Sequence, residues 1–148
     1  MSIKDDIQNA LKSAMKNQER ERLECLRMAK GALLLVEKGK EKDSGITDEE
    51  CIAALRSEVK KRQQSMETFR GLGQSAQVAA LEREVATLEE FLPKQLDAAA
   101  LEAKIREHLA AHPELNHAGK LTGAMKKELG DLANGAMLNE LCKKVLEG

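Results

Sequence analysis

Apolar side chains recur at intervals of three and four residues along most of this chain, a period that gathers them on one face only if the backbone is helical. The pattern opens with Ile3, Ile7, Ala10, Leu11 and Ala14 on one side of a helix that Ser2 can cap and that runs to about Lys16. Asn17-Gln18-Glu19 reads as a corner. A second helix reaches about Lys38, and Leu23, Leu26, Met28, Ala29, Leu33 and Val36 give it a stripe broad enough to touch neighbours on more than one side. Lys38 to Gly45 reads as an exposed loop, and Thr47-Asp48-Glu49-Glu50 supplies a capping box for the next helix. That helix carries a narrow seam of Ile52, Leu55, Val59, Met66 and Phe69, interrupted by Arg62 and stopped by Gly71-Leu72-Gly73. A fourth helix, about Ser75 to Glu90, places Val78, Leu81, Val85, Leu88 and Leu92 where they can face that seam in a helical hairpin.

Pro93 removes a backbone donor and disfavours helical geometry at Leu92, so Phe91-Leu92-Pro93-Lys94-Gln95-Leu96 marks a hinge. Beyond it Asp97 caps a helix with Leu101, Ile105 and Leu109 that ends near His112-Pro113. Two short helices follow, about Lys120 to Leu129 and Ala136 to Leu146. The expected fold is all-α: a helical N-terminal part with a long hairpin, residues 1–92, then a small three-helix tail, residues 93–148. Composition agrees, because two Phe with no Trp or Tyr leave a core of Leu, Ile, Val, Met and Ala, which favours helices over sheets.

Lys and Arg number 24 against 25 Asp and Glu, so a formal net charge of -1 argues against a disordered chain of one dominant sign and names no partner. The longest apolar run, near Ala32 to Val36, is far short of the ~20 residues that span a bilayer. The start, Met1-Ser2-Ile3-Lys4-Asp5-Asp6, lacks the pattern of a secretory signal, and the chain is expected to stay in the cytoplasm. Cys25, Cys51 and Cys142 form no close pair and read as small core hydrophobes.

Known catalytic patterns do not fit. Gly71-Leu72-Gly73-Gln74-Ser75-Ala76 superficially matches a dinucleotide fingerprint, but a long amphipathic helix precedes it where a strand is required. The phosphate-cradling loop and the nucleophile elbow are both missing. His108, His112 and His117 have the spacing of a conceivable zinc set, yet Pro113 puts them at a helix end, where His satisfies terminal carbonyls. The carboxylate pairs Glu49-Glu50 and Glu89-Glu90 are adjacent in sequence, so they diverge by about 100° on a helix. No cofactor and no metal are expected. The charge cluster Arg56, Lys60, Lys61 and Arg62 on the third helix is either that helix's wet side or a stripe able to neutralise phosphates.

Several segments together resemble the YqeY family, whose C-terminal part is similar to the tail domain of the GatB subunit of the tRNA-dependent amidotransferase. The resemblance covers nearly the whole chain and rests on Leu11-Lys12-Ser13-Ala14-Met15-Lys16, Leu26-Arg27-Met28, Glu58-Val59-Lys60-Lys61-Arg62-Gln63-Gln64-Ser65-Met66 with Phe69, Leu88-Glu89-Glu90-Phe91-Leu92-Pro93-Lys94-Gln95-Leu96, and Gly119-Lys120-Leu121-Thr122-Gly123-Ala124-Met125. It implies a helical N-terminal part followed by a three-helix tail, and a tail able to contact tRNA. Members commonly carry the label of a carbon-nitrogen ligase with glutamine as amide donor. In this sequence the family's basic turn before the last helix stands as Asp131-Leu132-Ala133-Asn134-Gly135-Ala136.

The expected function is a non-catalytic helical adaptor that associates with tRNA or a tRNA-handling enzyme. Its candidate contacts are Gly119, Lys120, Gly123, Lys126 and Lys127, where a helix N-terminus can present backbone N–H groups and glycines let a backbone come close, together with Arg56 to Arg62. The alternative is a protein-interaction module without RNA, offering a partner helix an apolar groove beside Leu121, Met125 and Met137.

Overall fold

A computed structural model describes residues 2–41 and 44–148, so two positions of the loop expected at Lys38 to Gly45 lie outside the described residues. Among the described residues there are seven α-helices, one 3₁₀ turn and no strand: the protein is all-α. The chain divides into two compact units, Met1–Leu92 and Pro93–Gly148.

Unit 1 holds α1 (Ile3–Lys16), α2 (Arg20–Lys38), α3 (Asp48–Gly71) and α4 (Ser75–Glu89). Ser2 starts α1 by accepting from the Asp5 amide through Oγ at 3.1 Å, and Asp48 Oδ1 accepts from the Ile3 amide at 2.9 Å, so the first turn of α1 is tied to the first turn of α3. The corner after α1 turns through Gln18 at φ 55. At the far end of α3, Gly73 at φ +70 and a 2.9 Å bond from the Gln74 amide to the Phe69 carbonyl close the helix before α4 begins. The core joins Ile7 and Leu11 of α1, Leu26 and Leu33 of α2, Leu55, Val59 and Met66 of α3, and Val78, Val85 and Leu88 of α4. The helix pairs α1–α2 and α3–α4 pack lengthwise, and α2 also touches both α3 and α4.

Thr47 caps α3 reciprocally: its Oγ1 accepts from the Glu50 amide at 3.1 Å, while Glu50 Oε1 accepts from the Thr47 amide at 3.0 Å. Lys40 Nζ reaches the same Glu50 Oε1 at 2.6 Å and the Gly45 carbonyl at 2.8 Å. The Lys40 hydrogen bond, followed by the Thr47 amide, pulls the Glu50 carboxyl down to about 2. A depressed carboxyl stabilises the fold above its unfolded value near 4.5, and that contribution fades as pH falls from there through about 2. Thermal melts between neutral and strongly acid pH are therefore expected to drop less steeply for Lys40→Gln than for the wild type; parallel curves would remove Lys40 from this account.

Unit 2 holds α5 (Ala98–Ala111), α6 (Ala118–Leu129), a 3₁₀ turn (Gly130–Leu132) and α7 (Gly135–Glu147). Asp97 caps α5 at 2.8 Å, His117 Nδ1 caps α6 by accepting from the Gly119 amide at 3.2 Å, and Asn134 caps α7 at 3.1 Å. Leu101, Ile105, Leu121, Met125, Leu138, Cys142 and Val145 form the core. The stretch after Pro93 is fastened at two points, Gln95 donating its amide to the Asp131 carbonyl at 2.9 Å and the Leu96 amide to the Leu132 carbonyl at 2.8 Å. Gln95 and Leu96 thus hold the unit's entry segment against the 3₁₀ turn. No helix among the described residues is long and apolar enough to cross a membrane.

Candidate nucleic-acid interface

The segment Gly119 to Gly123 is not a turn. It lies inside α6, which begins two residues earlier than its sequence indicates because the His117 ring supplies the cap. The backbone N–H of Gly119 is therefore already bonded, and the anion-binding helix start expected there is partly occupied by the chain itself. Leu121, Thr122 and Met125 face inward, which turns Gly119, Gly123, Lys120, Lys126 and Lys127 outward. Lys120 and Lys127 are seven residues apart, two turns along one line, with Gly123 between them; Gly119 and Lys126 form a neighbouring line.

A Cβ on Gly123 would meet nothing within 4 Å, and one on Gly119 would meet only the ring of His117, at 3.3 Å. Helix packing does not need either glycine. What they leave is a strip of bare helix backbone, flanked by three exposed lysines that have no ion-pair partner among the described residues. The nearest acid on this helix, Glu128, is taken by His108 Nδ1 at 2.7 Å.

The α3 cluster does not form one stripe. Arg62 is a correction to its reading as a surface contact: it is 6% exposed, with Nε donating to Glu84 Oε1 at 3.1 Å and Nη1 to the Glu58 carbonyl at 3.1 Å. The reason is periodic, since position 62 follows 55 and 59 and precedes 66 along the buried seam. Lys61 is exposed but paired with Glu58 at 3.1 Å, Lys60 is exposed, and Arg56 is half-buried. Arg56 and Lys60, one turn apart, remain on one side of α3.

The tail groove expected beside Leu121, Met125 and Met137 is also corrected, because Leu121 and Met125 are 0% and 1% exposed and belong to the core. A largely apolar groove does exist in unit 2, at the C-terminal ends of α5 and α7: about 520 Å³ lined by Leu109, Ala110, Pro113, Val145 and Leu146, with Arg106 and Asn116 also in its lining.

Among the described residues no cluster of His, Cys, Asp or Glu converges as a metal set. His108 faces Glu128, His112 lies 3.4 Å from Glu114, and His117 caps α6. The three cysteines are free and buried, and burial pushes each thiol up and away from the reactive thiolate; Cys25 donates instead to the Glu84 carbonyl at 3.6 Å.

The described chain is therefore an all-helical protein of two units whose distinctive polar feature is an open helix face. Residues 4–146 match the family model described as Yqey-like protein, and the chain belongs to the YqeY family. No curated protein matches it.

Proposed function

We propose that the protein is a non-catalytic helical adaptor that engages tRNA, or a tRNA-handling enzyme with its tRNA, through the outward face of α6. The observation that carries this reading is the bare backbone strip at Gly119 and Gly123 between Lys120, Lys126 and Lys127, which have no ion-pair partner among the described residues. A phosphodiester backbone can approach such a strip closely, and three lysines within two helical turns can neutralise successive phosphates. In unit 1, taken by itself, Lys60 on α3 is exposed, whereas Arg62 is committed to the interior.

Near-neutral charge makes the interaction weak, and its salt dependence is set by the few phosphates the three lysines neutralise. Filter binding of tRNA at low ionic strength is expected to detect retention. Lys126→Glu with Lys127→Glu is expected to weaken it at least about tenfold and to flatten the slope of log K against log salt by about two. No retention at low salt by the wild-type chain would retire the RNA reading. A second reading is favoured by the apolar groove of α5 and α7, which has room for the side chains of a partner helix. Recovery of a stable protein partner from ribonuclease-treated extract, lost on Leu109→Asp, is the outcome that reading requires.

A further inference from the structure

Outside the unit 1 core α2 carries Met28, Leu34 and Leu35 at 55%, 39% and 73% exposure, Met28 lying at the core margin with its Sδ accepting from Arg62 Nη2 at 3.8 Å. Glu24, Met28, Gly31, Leu35 and Lys38 follow one another along it at spacings of four, three, four and three, which makes a second seam of coiled-coil spacing on a helix already buried along its other side. A Cβ at Gly31 would meet nothing within 4 Å, so the backbone is open at the middle of the seam. Neither Glu24 nor Lys38 has an ion-pair partner among the described residues.

We propose that this seam is a contact between two copies of the chain, α2 crossing α2 of the second copy antiparallel about a two-fold axis at Gly31. An isologous interface must be complementary to itself. Rotation about Gly31 brings Glu24 to Lys38, seven residues away in either direction, and sets Met28 near Leu35 of the second copy, since these lie three and four residues from the centre on the same line. Both ends of the crossing then hold an acid against a base, the apolar residues meet near the axis, and the missing Cβ lets the helices come close where they cross. A parallel pair would set Glu24 on Glu24 and Lys38 on Lys38. A partner helix of one charge sign would leave one end of the seam facing a like charge.

One helix crossing buries less than the about 1,600 Å² of a standard interface, so the dimer is weak, with a dissociation constant on the order of tens of micromolar. Sedimentation of the full chain from low micromolar to about 0.5 mM is expected to show the average mass rising from 16.3 kDa toward twice that value. Glu24→Lys and Lys38→Glu each set like charges together at both ends and are expected to weaken association at least about tenfold. Combining them reverses both pairs and is expected to restore it. Within one helix the two positions are about 21 Å apart, and Lys38→Glu carries the same helix-end cost alone or combined, so recovery reads only the contact between copies. Monomer mass across the whole range, association indifferent to the single changes, or a double variant that stays as weak as the singles overturns the proposal.

Discussion

Arg62→Ala is expected to lower the unfolding free energy by about 3 kcal/mol, the largest effect of any single charged residue in unit 1. The guanidinium side chain is 7% exposed and holds Glu84 on α4 and Glu58 on its own helix, while the Cys25 thiol donates a hydrogen bond to the backbone carbonyl of the same Glu84. Removing the cation leaves two carboxylates facing each other across a partly closed site. Both reach some water, at 14% and 26% exposure, which puts the cost at the low end of the range for a broken buried pair. Arg62→Met with Glu84→Leu removes the charges together and is expected to recover most of the loss. Urea titrations of the two singles and the double form a mutant cycle; a coupling below about 0.5 kcal/mol would show that the ion pair does not hold α3 to α4.

Leu138→Ala is expected to cost about 3 kcal/mol through the cavity it leaves in unit 2, where Leu138 packs fully buried with Leu121, Met125 and Cys142. A core of this size supplies only about 3–5 kcal/mol, so the substitution consumes most of what holds α5, α6 and α7 together. Amide hydrogen exchange should then lose its protection through Leu101, Ile105 and Leu121. Protection in α6 unchanged from the wild type would mean that the tail core is far stronger than its side chains account for.

The capping residues Ser2, Thr47 and Asp97 were legible because each precedes an apolar run with the chemistry a helix start requires. Gly71-Leu72-Gly73 was equally readable as an end, Gly73 taking the left-handed geometry there. Reading failed where residue type and position disagreed. His117 is an uncommon cap, and two glycines four apart look like a turn, so α6 starts earlier than its composition suggests. Arg62 shares the chemistry of its basic neighbours, although its spacing from Leu55, Val59 and Met66 places it on the buried line; its partner Glu84 lies twenty-two residues on, across the hairpin. Met125 shows the same effect in reverse, an apolar residue assigned to a groove that the close packing of α6 on α7 fills. Gln95 and Leu96 lay in the most specific segment of the resemblance, yet their bonds to Asp131 and Leu132 depend on a contact thirty-six residues away that no local pattern announces.

The two glycines of α6 set a trade-off. Each sits in the helix with no neighbour that alanine would displace except the His117 ring, and Gly123, in the helix interior, makes the helix about 1 kcal/mol less stable than alanine would. Unit 2 is thus softer in α6 than its own scaffold permits. Alanines there would harden the tail while laying two methyl groups across the track between its lysines, so this helix can gain rigidity only by roughening the surface it presents.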